Sequence, residues 1–229
     1  MEKIIFFPTN NIGKFERYKY AFEKARIGYN RYLQNRNGES IKVEIQEDGK
    51  TTRENAEKKA KAYYEKYKAL LPDTEFAIIT TDEALHIEGL PDHEQPGLFV
   101  RRFQGLNGSR ATDDEVVERY TSFVNKIGGQ AKARWKYSFV MYDGESFHNL
   151  EWEEPVVFSD KPHLPITKGY PLNNITIIGE DERGEKVMLS DLPEEERNQY
   201  LSPYTDKVAK FVDNNMKHEW KGFEQNGIF

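Results

Sequence analysis

Residues 4–25 read IIFFPTNNIGKFERYKYAFEKA. The first four residues are a continuous apolar run, which is typical of a buried strand. Residues 9–13 are a polar break. From residue 14 to residue 25, apolar side chains return at spacings of three and four, which is the pattern of an amphipathic helix. The stretch therefore predicts a strand, a loop and a helix in succession.

The rest of the chain continues the alternation of strand and helix patterns. It predicts strands at residues 41–45, 76–80, 135–139, 147–158 and 175–178, and helices at residues 51–71, 114–127 and 203–216. This order predicts an α/β fold in which a mixed, twisted sheet is flanked by helices. We expect a single two-lobed domain over residues 1–229, with the irregular stretch 159–171 as a candidate binding loop.

Composition narrows the classes of protein and the kinds of site. A net charge of −6 argues against broad binding of nucleic acid, which requires clustered Lys and Arg. No run of apolar residues approaches the ~20 that a membrane span needs, so we expect a cytoplasmic protein that does not bind membranes. The 14 Phe and 13 Tyr supply apolar area for a core, and the absence of Cys excludes thiolate metal sites and Cys nucleophiles.

The segment TNNIGK at residues 9–14, which consists of the polar break and Lys14, is a candidate anion site. It lies between a buried strand and the start of a helix, where backbone N–H groups and the positive end of the helix dipole favour an anion. Lys14 adds a full positive charge. The alternative is an ordinary turn, in which Asn11 caps the helix and Lys14 is solvated.

Two carboxylates are candidate ligands for a hard cation. Asp82 follows the apolar run at residues 76–80, at the expected carboxyl end of a strand, where ligands of α/β sheets usually bind. Glu54 begins a helix, and a capping box formed with Thr51 is the alternative to a metal-binding role. A turn cap is the alternative for Asp82. If the fold brings the two carboxylates together, they suit Mg²⁺, and the lack of a nucleophile motif favours attack by water.

Five segments occur in an order known from one enzyme family. They are TNNIGK at residues 9–14, ENA at 54–56 followed by Lys59 and Ala60, TDEAL at 81–85, QPGLFVRRF at 95–103 and LPEEERN at 192–198. Together they resemble the motifs of the inosine/xanthosine triphosphate pyrophosphatase family over nearly the whole chain. The resemblance implies two lobes around a central nucleotide-binding cleft, usually in a homodimer, and hydrolysis of a nucleoside triphosphate to monophosphate and pyrophosphate.

The resemblance also implies roles for residues of this sequence. Glu54 and Asp82 would bind Mg²⁺, Asp82 would orient the attacking water, and Arg197 would replace the family's Lys. The implied substrate-binding residues are Thr9, Asn10, Asn11, Lys14, Arg197, Ser202 and Tyr204.

The sequence departs from the family where the base is recognised. Residues 202–204 read SPY in place of S-H-R, and residues 168–175 read KGYPLNNI in place of G-F-G-x-D-P-x-F. Ser202 and Pro203 also fit a helix start, and Thr81 replaces the first acidic residue of the family's acidic pair. These changes predict altered base specificity. The alternative is a nucleotide-binding or regulatory protein that has lost turnover.

Overall fold

The computed structural model describes residues 4–24, 26, 28–103 and 109–215. In these residues the chain forms the strands β1 (Ile4–Phe6), β2 (Phe76–Ile87), β3 (Gln130–Tyr142), β4 (Phe147–Ser159), β5 (Thr176–Glu180) and β6 (Lys186–Met188). The helices are α1 (Ile12–Lys24), α2 (Thr52–Leu70), α3 (Asp113–Lys126), α4 (Glu194–Tyr200) and α5 (Ser202–Asn215). No described helix is both long enough and apolar enough to cross a membrane.

The strands form one sheet in the order β1-β2-β3-β4-β5-β6. β1 runs parallel to β2, with Ile5 opposite Ala77, whereas β5 is antiparallel to both β4 and β6. The predicted mixed sheet flanked by helices is therefore confirmed. The parallel pair is buried, as the two continuous apolar runs at residues 4–7 and 76–80 indicated.

The chain divides into two compact units. Among the described residues, those within 4–82, 138–151 and 203–215 form unit one, and those within 83–137 and 152–202 form unit two. Each unit has a buried apolar cluster of its own.

In unit one, aromatic side chains dominate the core. Tyr18 and Phe22 on α1 are fully buried and pack edge-on against Phe7, which follows β1. This packing confirms the apolar stripe predicted for the first helix, except at Ala25, which lies outside the described residues. A second cluster joins α2 to β1 and β2, with Tyr67 in edge contact with Phe6.

In unit two, α3 packs its buried residues against a cluster that includes Leu85, Ile87 and Phe158. The helix begins after Thr112, whose hydroxyl accepts a hydrogen bond from the Glu115 backbone N–H while the Glu115 carboxylate accepts one from the Thr112 N–H. This capping box fixes the start of the helix, which is one residue earlier than in the predicted helix at residues 114–127.

The prediction of a strand at residues 41–45 was wrong. These residues are in no strand, although Ile41, Val43 and Ile45 pack against the core of unit one while the residues between them are exposed. An extended segment lying on an apolar surface buries every second side chain even when no neighbouring strand pairs with it. The alternation of apolar residues at 41–45 therefore did not require a strand.

The prediction that a strand ends before Asp82 was also wrong. β2 continues to Ile87, because burial resumes at Leu85 and Ile87. Asp82 is therefore inside the strand. The last predicted helix is observed as α5, whose predicted end at Met216 lies outside the described residues, while β6 and α4 had no counterpart among the predicted elements.

Candidate active site

The segment at residues 9–14 connects β1 to α1 as predicted. Asn11 caps the helix, since its side-chain oxygen accepts a hydrogen bond from the Lys14 N–H at 3.3 Å and its carbonyl accepts one from the Phe15 N–H at 3.1 Å. The Thr9 hydroxyl accepts a hydrogen bond from the Asn11 N–H at 3.1 Å. The cap predicted as the alternative is therefore present, and it leaves the segment at the amino end of α1, where an anion is favoured.

Asp82 is held by two side chains of α2. Its Oδ1 accepts a hydrogen bond from Lys59 Nζ at 2.9 Å, and its Oδ2 accepts one from Asn55 Nδ2 at 3.1 Å. Asn55 and Lys59 are four residues apart, so they lie on the same face of the helix. Side-chain exposure is only 13% for Asp82 and 15% for Lys59. Both oxygens of a largely buried carboxylate are thereby oriented.

Glu47 belongs to the same cluster. Its Oε1 lies 3.1 Å from Lys59 Nζ, which also donates a hydrogen bond to the Thr81 carbonyl at 3.0 Å. Three oxygen groups therefore surround one ammonium group. Burial lowers the pKa of Lys59, but the neighbouring carboxylates of Asp82 and Glu47 outweigh burial, so the pKa lies above its usual value. Lys59 is a cation at neutral pH.

The turn that carries Glu47 lies closely against α2. The Gly49 N–H donates a 2.8 Å hydrogen bond to Asn55 Oδ1, and a Cβ atom at Gly49 would lie 2.5 Å from that oxygen. Only glycine fits this close approach. The turn thus fixes the Asn55 amide, so that its nitrogen faces Asp82.

Glu54 occupies a different position from Asp82. Its side chain is exposed and accepts a 2.7 Å hydrogen bond from the Lys50 N–H, while its own N–H donates to the Thr51 hydroxyl at 3.1 Å. This is a variant of the predicted capping box, in which the carboxylate reaches the residue before the cap. In the part of the chain that the structure describes, no three His, Asp or Glu side chains are arranged to hold a metal.

Tyr204 is part of the core of unit one. It is 5% exposed, its hydroxyl donates to the Tyr18 hydroxyl at 2.5 Å, and Arg17 lies over its ring at 5.4 Å. A ring in this position is not presented to a base. Ser202 begins α5, as the helix-start alternative predicts, and Arg197 is a half-buried residue of α4.

The segment that replaces the family's G-F-G-x-D-P-x-F motif is anchored in unit two. Asn174, which is fully buried, donates hydrogen bonds to the carbonyls of His163 and Pro165 and accepts one from the Thr167 N–H. Asp113 accepts a 2.8 Å hydrogen bond from the Gly169 N–H and pairs with Arg101. Buried polar groups thus hold the segment in one conformation.

Sequence reasoning missed Glu47, Asn55 and Lys59 as site residues. Asn55 was quoted in the ENA segment and Lys59 after it, and their spacing of four residues was the available signal. Glu47 had no comparable signal, because its distance from Lys59 depends on the turn at residues 48–50.

A model of the Ham1 family matches residues 5–161, a range that contains the segment at residues 9–14, α2 and Asp82. The chain belongs to the Ham1 family. Membership in the Ham1 family confirms the family relationship predicted from the order of the motifs.

Two solved structures resemble this Ham1 chain in fold. One is a HAM1 protein from Coxiella burnetii, with 15% identity, a TM-score of 0.64 and coverage of 93% of this chain and 100% of that chain. The other is a nucleoside-triphosphatase / dITP/XTP pyrophosphatase from Mycobacterium abscessus ATCC 19977 / DSM 44196, with 17% identity, a TM-score of 0.55 and coverage of 92% and 98%. No curated protein matches the chain. These likenesses show a shared Ham1 fold.

Proposed function

We propose that this protein hydrolyses a nucleoside triphosphate to a nucleoside monophosphate and pyrophosphate in the presence of Mg²⁺. The observation that carries the proposal is the Asp82 carboxylate, oriented by Lys59 and Asn55 in a Ham1 family chain. The name of the Mycobacterium abscessus structure, a dITP/XTP pyrophosphatase, supports the choice of reaction.

The positive groups have distinct roles in the proposed reaction. Lys14 and the N–H groups at the start of α1, with Thr9, Asn10 and Asn11, bind the triphosphate. Lys59 remains positively charged because two carboxylates raise its pKa, and it fixes the position of Asp82. Arg197 and Ser202 remain candidate substrate residues on the basis of the motifs alone.

The reaction balances without a protein nucleophile. The oxygen of a water molecule forms a bond to the α-phosphorus, and the bond between that phosphorus and the oxygen bridging to the β-phosphorus breaks. Pyrophosphate leaves with the electron pair of the broken bond. Asp82 orients the water and accepts its proton, and such proton transfer typically contributes about 10²–10⁴-fold to a rate.

Carboxylate oxygens are ligands that suit Mg²⁺. Glu47 and Asp82 each place an oxygen near Lys59 Nζ, at 3.1 and 2.9 Å, so the ammonium group already lies beside both carboxylates. We propose that these two carboxylates would hold the metal. Glu54, the ligand predicted from the sequence, remains an alternative. A bound Mg²⁺ would supply charge neutralisation and water activation.

The base specificity is proposed to differ from that of the family. The S-H-R motif is replaced by residues 202–204, and Tyr204, the one aromatic side chain there, is buried. Assembly as a homodimer and location in the cytoplasm are further proposals that rest on the family resemblance and the sequence.

The test is release of pyrophosphate from a panel of triphosphates, with inosine, xanthosine, adenosine and guanosine as bases and Mg²⁺ as the metal. We expect pyrophosphate and monophosphate in equal amounts with at least one of them. Release of inorganic phosphate in place of pyrophosphate would contradict the proposed bond cleavage.

A nucleotide-binding or regulatory role is the second candidate. It is favoured by the ion pair between Asp82 and Lys59, because a carboxylate that already has two partners has less capacity to accept a proton. Nucleotide binding measured by calorimetry without any product over a long incubation would favour this candidate.

A further inference from the structure

Arg31 holds the backbone of the segment at residues 9–14. Its Nε and Nη2 donate hydrogen bonds to the Thr9 carbonyl at 2.9 and 2.7 Å. The guanidinium lies over the rings of Phe15 and Tyr32, at 5.2 and 5.4 Å from their centres. Two donors on one oxygen and two aromatic rings leave the side chain little freedom to move.

Tyr32 holds the next residue of the same segment. Its hydroxyl donates a 2.9 Å hydrogen bond to the side-chain oxygen of Asn10. Burial of the ring raises the pKa of Tyr32 to about 12, so the hydroxyl remains protonated and a donor at neutral pH. Asn10 itself is exposed.

The backbone sets the register of these two contacts. The Asn30 N–H donates to the Ile5 carbonyl, and the Phe7 N–H donates to the Asn30 carbonyl, both at 2.8 Å. The chain at residue 30 therefore runs parallel to β1. As both segments continue, Arg31 comes beside Thr9 and Tyr32 beside Asn10.

Both contacts are made to oxygen atoms that would repel a phosphate. A trans peptide is planar, with its C=O and N–H groups pointing in opposite directions. When Arg31 holds the Thr9 carbonyl, the Asn10 N–H of the same peptide points away from Arg31. When Tyr32 holds the Asn10 side-chain oxygen, the amide nitrogen is directed elsewhere as a donor. Each contact thus holds an acceptor oxygen of the segment against Arg31 or Tyr32, and it directs the N–H donor of the same peptide or amide group away from that residue.

We propose that Arg31 and Tyr32 are positioning residues that orient the segment at residues 9–14 to bind the triphosphate of the substrate. They act through Thr9 and Asn10. This inference rests on the proposed function, because it assigns the triphosphate to that segment. Neither residue belongs to the motifs that the sequence shares with its family.

The test uses inorganic triphosphate as a phosphate-only ligand, with binding measured by isothermal titration calorimetry, and the KM and kcat of the best nucleotide as a second measurement. The variants are Arg31→Gln, Arg31→Lys and Tyr32→Phe. Arg119→Gln is the matched control, because Arg119 also lies over two aromatic rings, those of Phe103 and Phe123 at 4.4 and 4.9 Å, in unit two.

We expect Arg31→Gln to bind triphosphate about tenfold more weakly and to raise KM more than it lowers kcat, because it loses a charge-assisted pair of hydrogen bonds. Arg31→Lys should recover only part of this loss, since one ammonium cannot reproduce the fork of two donors. Tyr32→Phe should weaken binding by a few-fold, and Arg119→Gln should change thermal stability alone.

Equal triphosphate binding by the wild type, Arg31→Lys and Tyr32→Phe would overturn the inference. Because these two substitutions are mild, the inference can be tested even if Arg31→Gln fails to fold. Full recovery in Arg31→Lys would also overturn it, since charge without orientation would then suffice. Failure of the proposed function would give a different result from failure of this inference. In that case the wild type would hydrolyse no nucleotide, while triphosphate binding would still rank the variants.

Discussion

Lys59 and Asp82 form an ion pair between the middle of α2 and the middle of β2, with 2.9 Å between Nζ and Oδ1. Both side chains are largely buried, so removing Lys59 would leave the Asp82 charge without its cation, whereas Glu47 would still compensate Lys59 if the Asp82 charge were removed. The pair differs from Lys58 and Asp48, which also form an ion pair but have side chains that are about half exposed. Adjacent lysines of one helix therefore provide a buried pair at the candidate site and an exposed pair for comparison.

We expect Asp82→Asn to abolish turnover while the fold remains intact. The amide keeps the size of the side chain and an oxygen that can accept from Lys59, but it loses the negative charge needed to hold metal or accept a proton. Pyrophosphate release and circular dichroism measure the two effects. The control is Asp48→Asn, which should keep full activity. An active Asp82→Asn variant would remove Asp82 from the mechanism, and an unfolded one would support a structural role.

The Mg²⁺ requirement distinguishes two carboxylates. Since Glu47 shares Lys59 with Asp82, we expect Glu47→Gln to raise the Mg²⁺ concentration needed for half-maximal activity. For Glu54→Gln, the sequence alone predicts the same increase. The capping geometry predicts an unchanged metal requirement and only a small change in stability, because Gln can still accept the hydrogen bond from the Lys50 N–H. Titrations of activity with Mg²⁺ and thermal unfolding of both variants decide between these outcomes, and the reverse ranking would restore Glu54 as the ligand.

Base selection should not depend on Tyr204. Because its hydroxyl is buried against Tyr18, we expect Tyr204→Phe to cost about 1–3 kcal/mol of stability and to leave the ratios of kcat/KM among the four nucleotides unchanged. The wild type should show relaxed specificity. A preference for inosine triphosphate of about a hundredfold would show that other residues recognise the purine. A change in the ratios for Tyr204→Phe would show that its ring reaches the base.

Acid stability should depend on Asp113. Burial raises its pKa, but hydrogen bonds from the Gly169 N–H and Arg101 outweigh burial, so the pKa lies below its usual value of 3.8. A carboxylate with a depressed pKa contributes stability above its unfolded value, and that contribution is lost as the pH falls through its folded value. We expect Asp113→Asn to lower the free energy of unfolding by about 1–3 kcal/mol at neutral pH.

The same variant should lose less additional stability than the wild type between about pH 4 and pH 2. Urea unfolding over a pH series measures this difference. Asp114→Asn, in the same helical turn but exposed, is the matched control and should follow the wild type. Parallel pH profiles for the wild type and Asp113→Asn would exclude the contribution assigned to Asp113.

The sequence by itself determined the features that depend on neighbouring residues. The apolar run at residues 4–7 and the stripe through Tyr18 and Phe22 predicted β1 and α1, because strand and helix periodicities are local properties of the chain. Thr51, in the predicted capping box, marked the start of α2 for the same reason, since a cap bonds to an N–H only three residues away.

Only the tertiary structure decided which of these residues meet. Lys59 joins Asp82 and Glu47 because α2 packs against β2 and the turn at Gly49 approaches α2, and Arg31 reaches Thr9 because the chain at residue 30 runs beside β1. Those contacts join residues 12 to 23 positions apart, at distances that no local periodicity sets. Burial in the tertiary structure also decided the position of Tyr204. Tyr204 was predicted to bind substrate and lies in the core, because the packing of α5 against Tyr18 determines where its ring points. No pattern within residues 202–204 records that packing.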